Sequence, residues 1–228
     1  MAVNLGMLVA QIVGMAVVFG LALFVPAGTI GWRAGWVYMA LFFGFVVALS
    51  GWLVRSNPEL MRERMTGVGA ADQKTWDKVF LAVTAIAFFG WLALMPLDVV
   101  RYRWSSMPAL LQVVGGAVLL GSFVLFFLTF RENSFLSPAV RIQEERGQTV
   151  VSSGPYGYVR HPMYAGFVLF VAGTALLLGS WWGLAAGLVL VALVAYRAVR
   201  EEETLRAELP GYDAYMARTR YRLIPGVW

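Results

Sequence analysis

Apolar residues along this chain fall into long blocks that are hydrophobic on every face, separated by short polar breaks. Six blocks stand out, at 5–25, 32–54, 79–97, 109–130, 163–179 and 181–199. Each is close to the ~20 residues a helix needs to cross a hydrocarbon core of about 30 Å. A barrel strand would alternate apolar and polar positions over about ten residues. With no water to satisfy a free backbone, helices are the expected form of such blocks. The breaks agree: Pro26 and Gly28 close the first block, Asn57 and Pro58 open a charged loop, Pro96 ends the third block, and the stretch from Ser105 to Pro108 precedes the fourth. Only Gly179 and Ser180 separate the last two blocks, which predicts a tight antiparallel hairpin whose flanks return to one membrane face. Gly115, Gly116, Gly183 and Gly187 are expected at close helix contacts.

The expected fold is therefore all-α: a polytopic membrane bundle of about six transmembrane helices, with a C-terminal helical hairpin and a cytoplasmic tail helix. Residues 1–135 form the first four spans, and residues 136–228 a C-terminal core of cofactor loop, hairpin and tail. Composition supports a membrane setting, since 60% of the 228 residues are hydrophobic and 14% charged, against about 25% charged in soluble domains. With six spans, Arg33, Arg101 and Arg103 lie on one face, and the other fifteen of the 18 Lys and Arg lie on the face holding both chain ends. The positive-inside rule makes that face cytoplasmic, which predicts an inner (plasma) membrane protein with both termini and the active site in the cytoplasm. No Lys or Arg precedes Arg33, so the first block reads as a retained span rather than a signal peptide. Trp32, Trp36, Trp76, Trp104, Trp181 and Trp182 sit near predicted ends, where an interfacial belt places them.

The formal charge of +5 is explained by loop topology and anionic headgroups, and no basic stripe on a recognition fold suggests nucleic acid. Cysteine is absent, which removes disulfides and thiolate chemistry. With a single histidine, no nitrogen or sulfur shell for a metal is expected.

Polar chemistry concentrates on the two flanks of the final hairpin. The first, 151–164, is rich in turn formers and holds the sole histidine, His161; by itself this histidine reads as a hydrogen-bonded interfacial side chain. The second, 196–205, places Arg197 and Glu201 on one helix face at i,i+4. Arg197 lies in the last apolar turn, where an ionisable side chain is costly and more often functional. Downstream, Tyr212, Tyr215, Arg218, Arg220 and Arg222 form an amphipathic tail.

Gly154-Pro-Tyr-Gly-Tyr-Val-Arg-His-Pro-Met-Tyr164, then Glu201-Glu202 with Leu205, then Tyr212-Asp-Ala-Tyr215 and Arg222-Leu-Ile-Pro225 resemble the signature of the isoprenylcysteine carboxyl methyltransferase and phospholipid methyltransferase superfamily, in its prokaryotic form. The resemblance covers about residues 140–228. Where the family has Phe-Gly, this chain reads Leu209-Pro210-Gly211. The resemblance implies an S-adenosyl-L-methionine site without a Rossmann sheet, formed by Gly154, Pro155, Tyr156, Val159, Arg160, His161, Pro162, Tyr164, Glu202, Leu205, Tyr212 and Tyr215. The acceptor is then expected to be lipidic or amphiphilic. If it is a carboxylate, the favoured case, Arg197 would hold it; if it is an amine, Glu201 would be the base. Two other readings remain open from the residues: an NADPH-dependent membrane reductase of the sterol or enone type, and a non-catalytic membrane scaffold or transporter.

Overall fold

The structure is a computed structural model that describes residues 3–66 and 73–228. Among the described residues it contains eight α-helices and no strand: α1 (Leu5–Ala27), α2 (Arg33–Ser56), α3 (Pro58–Thr66), α4 (Thr75–Pro96), α5 (Ala109–Glu132), α6 (Pro162–Leu178), α7 (Trp181–Glu208) and α8 (Tyr212–Arg218). Five of them, α1, α2, α4, α5 and α7, are long and apolar enough to cross a membrane, α4 together with the turn that follows it, and α6 is a shorter apolar helix of 17 residues. All six predicted blocks are thus helical. Their outward faces are apolar: Ile86 is 77% and Leu110 73% exposed, which fits a bundle bathed in lipid rather than water.

Local signals set the ends. The Asn4 side chain accepts from the Met7 N–H at 3.0 Å to start α1, and Gly28, at φ 69°, closes it with its N–H directed at the Phe24 and Val25 carbonyls. Asn57 terminates α2 and then caps α3 by accepting from the Leu60 N–H, with Pro58 at the first helical position. Helix α3 lies inside the charged loop expected after Asn57 and is the one addition to the helical blocks in that region. A π-helical turn (Leu97–Arg101) follows Pro96. Helix α7 runs nine residues past the predicted end at 199, because 200–208 is rich in the good helix formers Arg, Glu, Leu and Ala.

Aromatic rings fill the interior of the bundle, among them Phe19 on Phe42 at 4.9 Å and Phe45 on Phe123 at 4.5 Å. Helices α5 and α6 approach backbone to backbone: a Cβ on Gly115 would lie 2.4 Å from the Leu177 nitrogen, and one on Gly173 2.5 Å from the Leu119 nitrogen. Gly183 and Gly187 likewise leave no room beside Met95 and Val171. Gly116 differs from expectation, since a Cβ there meets only a Leu177 methyl at 3.7 Å, an ordinary contact.

The α6–α7 hairpin turns as predicted. Gly179 takes φ 82°, and the Ser180 hydroxyl accepts from the Gly183 N–H to cap α7. The same hydroxyl donates to the buried Asp98 carboxylate at 2.5 Å, and Ser105 donates to it at 2.6 Å. The hairpin tip is thereby pinned to the α4–α5 connection. At the opposite end, Leu8 of α1, Leu53 of α2, Leu60 and Met61 of α3 and Phe130 of α5 pack together beside Leu136 and Met163. That end also carries both flanks of the hairpin.

Candidate active site

The backbone from 133 to 161 is mostly irregular and is held by side chains. Asn133 donates to the Tyr156 hydroxyl at 2.8 Å, Gln143 is wholly buried and donates to the Phe135 carbonyl at 2.6 Å, and Arg146 bonds to Gln143 and to the Ser134 carbonyl. Gly154, at φ 55°, packs on Glu132 so closely that a Cβ would come within 2.5 Å of it. A 3₁₀ turn (Gly154–Gly157) with Pro155 near its start then leads to Val159, Arg160 and His161. Pro162 opens α6.

Across from this loop stand the last turns of α7, and the two flanks meet directly. Arg160 Nε donates to Glu202 Oε1 at 2.6 Å, and His161 Nε2 lies 3.2 Å from the same oxygen. Tyr164 donates to Glu201 Oε2 at 2.5 Å. The tail closes a third side. The Arg160 and His161 amides donate to the Tyr221 and Arg222 carbonyls, both at 2.9 Å; Arg160 Nη1 reaches the Thr219 and Arg220 carbonyls; and Arg222 Nε donates to Glu202 Oε2 at 2.8 Å. Gly211, at φ 86°, makes the reversal from α7 into α8 possible, so Tyr212 and Tyr215 fold back toward the loop. Tyr215 donates to the Tyr156 carbonyl at 2.8 Å. Burial pushes its phenol up to about 12, so it stays a neutral donor.

These walls surround a cavity of about 310 Å³, at the lower end of the range of small-molecule sites. Of the residues singled out in the sequence, Tyr156, Arg160, His161, Pro162, Tyr164, Arg197, Glu201, Leu205, Tyr212 and Tyr215 line it. Gly154, Pro155, Val159 and Glu202 do not line it. Val159 is buried, and Glu202, 3% exposed on its side chain, is saturated by Arg160, His161 and Arg222. Glu202 therefore acts on the cavity through the residues it holds.

The cavity has two chemically distinct ends. One is walled by Tyr156, Leu205, Leu209, Tyr212 and Tyr215, packed with Ile142, Val150 and Val151. The other reaches Leu136 and Met163, which pack on the helix-end cluster. Arg197, Glu201, Leu205 and Leu209 follow one another at i,i+4 along α7 and connect the two ends.

Arg197 is not free. Its Nη2 lies 3.0 Å from Asp77 Oδ1 and donates to the Pro138 carbonyl at 2.7 Å, with the guanidinium 5.5 Å from the Phe80 ring. Asp77 is fully buried, and its other oxygen accepts from Gln73 and from the Val140 amide, each at 2.9 Å. Sequence reasoning did not single out Asp77, Asn133 or Arg64, which also lines the cavity. Their partners lie far along the chain, and no local spacing marks them. Arg222 carried a signal, its place in the closing motif, although its side-chain role did not. Among the described residues, no group of three or more His, Cys, Asp or Glu side chains is placed to hold a metal ion.

Residues 110–209, from the start of α5 to the end of α7, match the family model for phospholipid methyltransferases. A protein-S-isoprenylcysteine O-methyltransferase from Schizosaccharomyces pombe is 32% identical over 91 residues, which cover 40% of this chain and 39% of that protein. The matched part thus spans about two fifths of the length of the curated relative. The family model covers α5, α6, α7 and the loop between α5 and α6, whereas Arg64, Leu81, Tyr212 and Tyr215 of the cavity wall lie outside it; over residues 110–209 the chain is similar to the phospholipid methyltransferases.

Proposed function

We propose that this chain is an integral membrane methyltransferase that moves a methyl group from S-adenosyl-L-methionine to a lipidic or amphiphilic acceptor, with carboxylate O-methylation favoured. The observation that carries this reading is the closure of the two hairpin flanks over one cavity, through Arg160 and His161 on Glu202 and Tyr164 on Glu201. The lopsided Lys and Arg distribution supports a cytoplasmic location for that cavity and for both chain ends in an inner membrane. Residues 136–228 are the core of the proposed unit.

The lining suits the donor. Tyr212 places a buried hydroxyl without a hydrogen-bond partner at the cavity wall, and tyrosine faces suit both an adenine and a cation. Tyr156, Leu205, Tyr212 and Tyr215 would hold the nucleoside end, with Arg160 and His161 near the amino-acid end. When bound, the sulfonium supplies an electrophilic methyl carbon; transfer forms an oxygen–carbon bond and breaks the carbon–sulfur bond, leaving neutral S-adenosylhomocysteine. The chain's own task is alignment and exclusion of water. Glu201 fixes the Tyr164 hydroxyl, and Asp77 holds Arg197 at the cavity wall. An acceptor carboxylate is already nucleophilic and needs no base. That favours it over an amine here, because Glu201 is already engaged by Tyr164.

Titration calorimetry of the purified protein with S-adenosylhomocysteine is expected to show binding that His161→Ala and Tyr212→Ala abolish. Unchanged affinity in both variants, or thermal protection by NADPH with none by S-adenosylhomocysteine, overturns the reading. Incubation with labelled methyl donor and a membrane lipid extract then identifies the acceptor.

A further inference from the structure

Most cations around the cavity already have a carboxylate. Arg160 pairs with Glu202, Arg141 with Glu63 at 2.9 Å, and Arg197 with Asp77. Arg64, from the last turn of α3, has no ion pair among the described residues. Its Nη1 donates to the Leu136 carbonyl at 3.2 Å, and its guanidinium lies 4.8 Å from the centre of the Phe130 ring. Both contacts leave positive charge uncompensated, since a carbonyl and a ring face carry no net charge.

The surroundings sharpen this. Burial, and after it the positive charge of Arg197, pull the Arg64 pKa down to about 10, against a smaller opposing pull from the Glu63 carboxylate. The group therefore remains protonated at neutral pH in a setting that penalises its charge. The nearest carboxylate, Glu63, is itself paired with Arg141, and a buried cation with no ion pair of its own among the described residues is well matched to an anionic ligand, because binding one removes an existing penalty.

Arg64 also sits at the appropriate end of the cavity. Leu136 and Met163 line the cavity and belong to the apolar cluster made by the ends of α1, α2, α3 and α5. An amphiphile with its tail along those helix ends would bring its headgroup to Arg64. The tyrosine-rich end, on the other side of Glu201, is left for the methyl donor.

We propose that Arg64 is the anion-binding residue for the acceptor headgroup, selecting a carboxylate-bearing amphiphile, while Arg197, neutralised by Asp77, shapes the wall beside it. The proposal rests on the methyltransferase reading for the direction of transfer, but the anion site itself does not.

The test uses the full-length protein in a non-ionic detergent, with N-dodecanoylglycine, its uncharged primary amide and dodecyl phosphate as probes. The wild-type protein is expected to bind the acid about tenfold or more tightly than the amide, as a charge-assisted hydrogen bond supplies. Arg64→Gln is expected to reduce that preference to less than about twofold while leaving S-adenosylhomocysteine affinity unchanged, and Arg64→Lys to keep part of it. Arg64→Met, which retains an unbranched stem over Phe130, is the neutral variant to use should the glutamine variant fail to fold. A neutral variant that still prefers the acid overturns the proposal, as does a wild-type protein that binds acid and amide equally. A phosphate preferred over the acid, and lost in the neutral variant, keeps the anion site and overturns the carboxylate choice. Absence of S-adenosylhomocysteine binding by the wild-type protein counts against the methyltransferase reading, and the acid-to-amide ratio still reports on Arg64.

Discussion

Asp77 and Glu202 are both carboxylates buried at the cavity end of the bundle; Asp77 holds one arginine, Arg197, and Glu202 holds two, Arg160 and Arg222. Asp77 reaches Arg197, Gln73 and the Val140 amide, and so ties the start of α4 to α7 and to the loop that covers the cavity. Removing the charge of a buried pair is costly because the partner remains. Asp77→Asn is expected to destabilise the protein by about 3 kcal/mol, read as a lower melting temperature in detergent, with Asp77→Glu recovering part of the loss. Neither the pairing nor the importance of Asp77 was legible in the sequence, where it is one more charge in the polar stretch before the third apolar block. Arg197 was legible as a misfit in an apolar turn, yet its partner was not, because tertiary pairing leaves no local spacing. The i,i+4 neighbour Glu201 bonds instead to Tyr164.

Helices were the most readable level, since apolar blocks of span length admit few other forms in lipid. The exceptions have local causes. Helix α3 is nine mostly polar residues whose apolar positions, Leu60, Met61 and Met65, are too few to mark a helix in the sequence, so its clearest clue is the Asn57-Pro58 start signal. The π-turn after Pro96 is set by the Asp98 hydrogen bonds to Ser105 and Ser180, which are tertiary. Glycine positions were read as helix contacts without distinction, whereas the packing separates them. Gly115→Ala is expected to force α5 and α6 apart, because its Cβ would strike the Leu177 backbone, and Gly116→Ala should be tolerated. Thermal melting of the two variants checks this: a Gly115→Ala protein as stable as Gly116→Ala would show that the helices yield without penalty.

At the scale of the whole molecule, the hairpin is what brings the two polar flanks together. A two-residue turn between two apolar blocks was enough to expect the His161 and Glu201 flanks on one side, and the structure brings them into direct contact. What the sequence did not reveal is that the chain end completes the enclosure. Thr219, Arg220, Tyr221 and Arg222 clasp Arg160 and His161 through four carbonyls, and Arg222 shares Glu202 with them. Deleting 219–228 is therefore expected to weaken S-adenosylhomocysteine binding by about tenfold or more, measured by calorimetry, with the helical circular dichroism signal largely retained.

At 17 residues, α6 covers about 25 Å, roughly 5 Å less than the hydrocarbon thickness of a typical bilayer. The shortfall draws the His161-Pro162 corner inward or dimples the leaflet around it. Either way the candidate site would be sunk below the water line like a well in a quay. For the proposed methyl transfer, a chain-anchored headgroup would then slide sideways rather than climb out, and the soluble donor would make the vertical journey instead.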